Sequence, residues 1–231
     1  MAGISREPSS EPVERGLPRA VDVVLALAGL IVSLPVLVVA GLWVALSSKG
    51  PVIFRQERVG RNGSRFVLLK LRSMAWGAGG PEITAGNDRR VTPAGRVLRK
   101  TKIDELPQLW NVLRGEMALV GPRPEVPAYV DLEDPAWRRV LETRPGITDP
   151  VSLRLRFEED LLAAAPGDRA EFYRAVFVPF KIYKYLEYQS VRTSWSDLEV
   201  LLQTLLAGFF RDGAPLYRLE DLNIPLKRPI H

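Results

Sequence analysis

The stretch VVLALAGLIVSLPVLVVAGLWVALSS, residues 23–48, carries no charge for 26 residues between Asp22 and Lys49. Leu, Ile and Val make up 15 of them, a composition that favours membrane insertion by roughly 5 to 9 kcal/mol. A run this long and this apolar reads as a membrane segment, not as the core helix of a soluble domain. A cleaved signal peptide fits poorly, because the run is too long, lacks a small-residue cleavage pattern and follows a mixed-charge segment.

The run is interrupted at its midpoint by Ser33-Leu34-Pro35. Pro35 removes a backbone donor and clashes with the preceding turn, so a kink is expected there. Arg15 and Arg19 precede the segment, and Lys49, Arg55 and Arg58 follow it. The rule that keeps Lys and Arg cytoplasmic therefore favours neither orientation of a straight span. A helix that enters one leaflet, bends at Pro35 and returns satisfies the rule at both ends. An ordinary spanning helix that tolerates its proline is the alternative.

Outward from this segment, 231 residues suffice for one main domain. There is no cysteine, and the single histidine is His231. Disulfide frameworks, thiolate metal sites and imidazole chemistry are excluded, which leaves carboxylates, hydroxyls, tyrosines and lysines. The net charge of +5 conceals an asymmetry: residues 49–103 hold 13 basic side chains against Glu57, Glu82 and Asp88. Such a block predicts an anionic partner, whether nucleic acid, nucleotide phosphate or lipid headgroup. A solvated basic face is the plainer reading.

Residues 1–17 read as a loose tail. Residues 52–54 and 66–70 suggest two short strands around an Arg61-Asn62-Gly63 turn. A Gly-rich loop follows at 77–87, and a helix at 106–113 has Pro107 in its first turn. Pro122-Arg123-Pro124 is rigid and extended, which fixes where Arg123 points. Short helices are expected at 136–143 and 158–165. Residues 196–210 form a longer amphipathic helix with Leu198, Leu201, Leu202, Leu205, Phe209 and Phe210 on one face. That face suits either the core or the membrane surface.

The tract TKIDELP, residues 101–107, carries the chemistry. Asp104 and Glu105 open a predicted helix just after Arg96, Arg99, Lys100 and Lys102. A helix N-terminus flanked by cations attracts phosphate, yet carboxylates there repel it. A divalent cation resolves the conflict, and Mg2+ prefers one or two carboxylates plus phosphate oxygens. An acidic first turn that merely complements the helix dipole is the competing reading.

These residues closely resemble the bacterial sugar transferase family, the monotopic phosphoglycosyl transferases. The resemblance runs in order through RAVD (19–22), GPVIFRQERVG (50–60), Phe66, KLRSM (70–74), TPAGRVLRK (92–100), DELPQLWNVL (104–113), VGPRP (120–124) and RPGIT (144–148). It implies that Asp104 attacks the sugar-bearing phosphate of a UDP-sugar, that Glu105 is the Mg2+-associated partner, with Asp104 a second metal ligand, and that polyprenyl phosphate then accepts the phosphosugar. Lys70, Arg72, Arg96, Arg99 and Arg123 are the candidates for substrate phosphates. Arg19 and Asp22 match the membrane entry, where Arg19 could reach lipid phosphate or serve as an edge anchor. The departures are Asp149-Pro150, in place of a glycine and an aromatic-containing segment, and Tyr185, in place of an acidic residue.

The resemblance implies an α+β, mainly helical fold. It comprises a tail at 1–17, a re-entrant membrane helix at 18–48 kinked near Ser33 and Pro35, and a cytoplasmic catalytic domain at 49–231 with amphipathic interfacial helices. The expected setting is the bacterial inner membrane, with membrane lipids as partners, no nucleic acid, and self-association open. Larger members add an N-terminal bundle of spanning helices, which this small form is expected to lack. The rival functions are a non-catalytic scaffold of a polysaccharide assembly complex, a tethered nucleic-acid-binding module, and direct one-step transfer with Asp104 only a metal ligand.

Overall fold

The computed structural model describes residues 15–80, 83–84, 86, 88–209 and 216–222. Within them the chain runs α1 (Arg19–Ser47), β1 (Ile53–Val59), β2 (Arg65–Leu71), α2 (Pro93–Thr101), α3 (Gln108–Leu113), β3 (Ala118–Val120), α4 (Pro135–Val140) and β4 (Gly146–Thr148). Helices α5 (Pro150–Arg154), α6 (Glu158–Ala163), α7 (Arg169–Phe172), α8 (Val178–Val191) and α9 (Ser194–Phe209) complete it. Helix dominates two small sheets, in keeping with an α+β class.

Helix α1 continues through Pro35 as one element. Its 29 residues reach about 43 Å at 1.5 Å per residue, more than a bilayer's hydrocarbon core. Asp22, Ala26, Ala40 and Val44 are buried at helical spacing, so one narrow stripe faces the domain. Gly29 lies against Leu109 and Gly41 against Val52. Val24, Ile31, Val32, Val39, Leu42 and Leu46 on the other faces are exposed. The core helix of a soluble protein would bury that surface; here it is left for lipid.

Both ends of α1 are tied to the same domain. Arg19 donates to the carbonyls of Val112 and Met117 (3.1 Å to the latter), and Asp22 accepts from the Leu119 amide at 3.2 Å. At the far end Arg72 donates to the carbonyls of Val44 (3.0 Å), Ser48 (2.6 Å) and Pro51. Residues 15–17, expected in a loose tail, are also held. Arg15 donates to the Ser190 carbonyl, Leu17 N–H donates to Asp197 at 2.9 Å, and the Gly16 carbonyl accepts from Ser194. Asp197 is fully buried, paired with Arg192 at 2.7 Å and accepting from Tyr188 at 2.7 Å. The remainder of the expected tail, residues 1–14, lies outside the described residues.

Strands β1 and β2 form an antiparallel hairpin from Ile53↔Leu71 to Val59↔Arg65, closed by a turn at Arg61–Gly63. Asn62 and Gly63 adopt positive φ there, as their residue types favour. Strands β3 and β4 pair in parallel, Ala118 with Gly146 and Val120 with Thr148. Gly121 and Gly146 cross so closely that a Cβ on either would strike the other's backbone. This crossing holds the Pro122-Arg123-Pro124 tract against β4. A π turn at Tyr173–Phe177 joins α7 to α8 just before Pro179, which has no N–H to continue α-type bonding.

Helix α9 starts at Ser194, and its exposed face carries Trp195, Leu198, Leu202, Leu205 and Leu206. Val200 enters the core, with Leu201 and Ala207 packed partly buried beside it. Of the expected apolar stripe, Leu198, Leu202 and Leu205 are turned outward, while Leu201 is partly buried against the core. Phe210 lies outside the described residues.

Candidate functional site

The site begins with how α2 ends. Thr92 caps its N-terminus by accepting from the Gly95 amide at 2.9 Å, and Pro93 occupies the first turn. Gly95 packs against the Ser73 backbone with no room for a side chain, which draws α2 onto the end of β2. The helix stops at Lys102, which is left-handed (φ 59°). The chain then makes a single 3-10 turn, Ile103–Glu105, before Pro107 leads into α3. The carboxylates therefore sit in a turn between two helices, not in the first turn of α3. The left-handed residue breaks α2 there, and Pro107 defines where α3 can begin.

Asn111 in α3 fixes the neighbouring strand. Its side chain accepts from the Leu69 amide at 3.1 Å and donates to the Val67 carbonyl at 2.8 Å. Lys70 lies beside these contacts and reaches Glu105 Oε1 at 2.9 Å. From the opposite side Arg123 Nη2 meets the same oxygen at 2.5 Å. Glu105 is thus held by two cations, while the adjacent Asp104 is 4% exposed and its Oδ1 has no hydrogen-bond partner.

This asymmetry separates the two carboxyls electrostatically. Burial pushes Asp104 above the ordinary carboxylate range, and the neighbouring Glu105 charge adds to that push. Burial acts upward on Glu105 too, but Arg123, Lys70 and Lys102 hold it well below its usual value. Glu105 is the carboxylate favoured as an anion, and Asp104 the more basic one, with a buried, unpartnered oxygen. Burial pushes the Lys70 ammonium down to about 8 against the pull of Glu105, and Glu105 pushes Arg123 upward.

The other expected site residues are distributed unevenly. Arg99 pairs with Glu159 of α6 and lies 3.4 Å from the Ser73 hydroxyl, while Arg96 is exposed on α2. Arg72 is 2% exposed, its guanidinium committed to the chain at and just beyond the end of α1. Arg19 closes the end of α3, and Asp22 holds β3; the two form a 3.9 Å ion pair. Ser33 donates to the Leu30 carbonyl one turn before Pro35.

Sequence reasoning missed the buried network behind Arg123. Lys181 Nζ contacts Glu125 at 3.1 Å, Glu158 at 2.9 Å and Tyr173 Oη at 2.8 Å, and Tyr173 donates to Glu125 at 2.8 Å. Glu125 directly follows the Pro-Arg-Pro tract, so this network backs the segment that carries Arg123. Its members lie in three separate segments with no shared motif, and only the Glu next to Pro124 could have hinted at it. The two departures from the resemblance also find places. Asp149 caps α5, accepting from Val151 N at 2.7 Å and Ser152 N at 3.0 Å, and Tyr185 is buried with an unpartnered hydroxyl.

Among the described residues there is no group of three or more His, Cys, Asp or Glu that could hold a metal alone. The available donors are the open Asp104 oxygen and the second oxygen of Glu105, which Arg123 approaches only at 3.5 Å. One or two carboxylates completed by phosphate oxygens and water is a set that fits Mg2+.

The sequence of residues 13–211 matches the family model described as bacterial sugar transferase. The UDP-glucose:undecaprenyl-phosphate glucose-1-phosphate transferase of Caulobacter vibrioides is 37% identical over 201 residues, covering 85% of this chain and 71% of that protein. The Escherichia coli K12 protein of the same name is 38% identical over 212 residues, 87% of this chain and 42% of its own length. The UDP-N-acetylgalactosamine-undecaprenyl-phosphate N-acetylgalactosaminephosphotransferase of Aeromonas hydrophila is 38% identical over 142 residues, 59% of this chain and 34% of its own. The chain thus spans less than half the length of the latter two relatives.

Proposed function

The chain belongs to the bacterial sugar transferase family, and from that premise we propose that it moves a sugar 1-phosphate from a UDP-sugar to polyprenyl phosphate. The products are polyprenyl diphosphosugar and UMP, a reaction that opens bacterial glycoconjugate or exopolysaccharide synthesis. Relatives at 37% and 38% identity bear names of this activity with UDP-glucose as donor. The observation that carries the reading is the split carboxylate pair, Glu105 held at one oxygen by Lys70 and Arg123 and Asp104 buried with an unpartnered oxygen.

The chemistry follows from that split. An Asp104 oxygen forms a bond to the sugar-bearing phosphorus, and the bond from that phosphorus to the UMP oxygen breaks. A polyprenyl phosphate oxygen then bonds to the same phosphorus, and Asp104 leaves. Burial makes Asp104 the stronger nucleophile of the pair. Glu105 holds Lys70 and Arg123 in place, so that they face the phosphates already oriented. Asp104 and Glu105 would hold Mg2+ together with phosphate oxygens, and the ion when bound supplies charge neutralisation for the transferring group.

Membrane association follows from the open apolar surface of α1. The finer reading is that α1 enters and leaves through the same, cytoplasmic, face of the inner membrane. Its support is that residues near both ends bond to one domain, whereas a span through the bilayer would carry one end about 30 Å away. The outward leucines of α9 support an interfacial position for that helix.

The test is to incubate the purified full chain with Mg2+ and a panel of UDP-sugars, with and without undecaprenyl phosphate, and to measure UMP. Release that requires Asp104 and precedes acceptor addition is expected. UMP only in the presence of acceptor would favour single-step transfer, and no UMP from any donor would overturn the reading.

A further inference from the structure

Position 102 is where the backbone and the side chain disagree. Lys102 and Asn62 are the non-glycine residues with positive φ among the described ones. Asn62 lies in a hairpin turn and is a residue type that enters the left-handed region readily. Lys102 is not, and it occupies the position after α2 where glycine is the usual occupant. Strain of this kind gathers at functional sites when the side chain is needed more than the relaxed backbone. The backbone of Lys102 is itself part of the site, since its carbonyl accepts from the Glu105 amide at 3.1 Å and its amide donates to Arg99 at 3.3 Å.

The side chain is exposed and forms no ion pair among the described residues. Its charge nonetheless acts on both Asp104 and Glu105. Of the neighbouring cations, Lys70 and Arg123 are engaged by Glu105 and Arg99 by Glu159, while Arg96 and Lys100 are exposed on α2, farther along the chain from Asp104 than Lys102. A lysine kept in a glycine's conformation, two residues from the open carboxylate and with no protein anion to hold, is placed for an anion that arrives from outside.

We propose that Lys102 is a substrate-binding residue, its ammonium meeting a phosphate oxyanion delivered to Asp104, either the diphosphate of the nucleotide sugar or the phosphate of the lipid acceptor. This rests on the reading of Asp104 and Glu105 as a phosphoryl-transfer pair. A ligand-free role predicts the opposite response to glycine, because Lys102→Gly relaxes the backbone while removing the charge.

The experiment uses the full chain in detergent with Mg2+, and measures melting temperature together with calorimetric binding of two probes, UDP for the donor and farnesyl phosphate for the acceptor. Lys102→Gly is expected to melt at or above wild type and to bind at least one probe roughly tenfold more weakly, the loss of one charge-assisted contact. Whichever probe weakens identifies the source of the phosphate. Lys102→Arg should restore that binding. The proposal is overturned if both probes bind Lys102→Gly as they bind wild type, if Lys102→Gly melts below wild type, or if Lys102→Arg binds no better than the glycine variant. Failure of wild type to release UMP in the turnover assay would sink the transferase reading instead, and the binding comparison at residue 102 would still stand on its own.

Discussion

Replacing Arg72 separates two roles that its position in the sequence left together. If Arg72 anchors α1, Arg72→Met removes donors to the carbonyls of Val44, Ser48 and Pro51 and to the Ser48 hydroxyl. A hydrogen bond from a charged group contributes about 1.5 to 3 kcal/mol. Ser48 is only half-buried, so water can take over part of its share. Counting two bonds as wholly lost gives a destabilisation of roughly 3 to 6 kcal/mol. For a domain of this size each kcal/mol lowers Tm by about 2 to 4 °C, so a fall of about 6 to 24 °C is expected. Arg72→Lys should lose less, because an ammonium keeps the charge but cannot fork across several carbonyls. Thermal unfolding of detergent-solubilised protein reads the fall, and turnover per folded molecule should keep the wild-type KM for the UDP-sugar. A wild-type Tm with a raised donor KM would return Arg72 to the phosphate site and refute the anchoring argument.

Asp104→Asn should lower UMP release by at least about a thousandfold with little change in Tm, as expected for a nucleophile that has no structural partner. Glu105→Gln should lower both, because it leaves Lys70 and Arg123 without their shared anion; an unchanged Tm would contradict that coupling. Burial pushes Glu125 up, but Lys181 and Arg58 outweigh it and hold the carboxyl below its ordinary value of 4.5. A depressed folded pKa gives stability that is complete above the unfolded value and lost as pH falls through the folded one. Glu125→Gln should therefore be less stable at neutral pH and show a flatter loss below about pH 4.5, whereas parallel acid-unfolding curves would exclude the assignment. Because the chain has no cysteine, Leu202→Cys gives a single spin-label site on α9. In bilayers the label should be more accessible to oxygen than to a water-soluble nickel chelate, and the reverse order would remove α9 from the interface.

The parts of the fold that the sequence made legible are those governed by local rules. The charge-free run is α1, and Arg61-Asn62-Gly63 is the turn of the first hairpin, with its strands longer than expected because Arg55, Glu57 and Arg65 alternate outward. Helix α3 began two residues later than expected, since the left-handed Lys102 and Pro107 isolate the carboxylate turn. Helix α8, the parallel pairing of β3 with β4, and the buried contacts among Glu125, Glu158, Tyr173 and Lys181 were not legible. Each depends on segments distant in the chain, and a buried lysine looks the same in sequence as a solvated one. Asp104 and Glu105 stood out because two adjacent carboxylates follow a basic run, but that run alone left a metal-phosphate site and an acidic helix start equally open, and the resemblance to the sugar transferase family chose between them. That one carboxylate is held by two cations and the other left unpartnered came from the fold.

The same fold changes what the basic block means. Of its cations, Arg72 is committed to α1, Arg58 donates to the Pro124 carbonyl, and Lys70 is bound by Glu105. Lys70 and Arg123 together balance the charges of Glu105 and an ionised Asp104, so this inner group is close to neutral. A sugar nucleotide's diphosphate brings about two negative charges into it, and phosphoryl transfer proceeds through charge neutralisation. The balancing charge must come from outside the inner group. Arg96, Lys100 and Lys102 are the exposed cations beside it in sequence, and on the proposed reading a divalent ion that Asp104 would help to hold is the other source. A donor should therefore bind weakly without Mg2+, and more weakly still when Lys102 is neutral. If removing Mg2+ leaves UDP affinity unchanged in both wild type and Lys102→Gly, the inner group is more positive than its salt bridges indicate, and this charge balance is wrong.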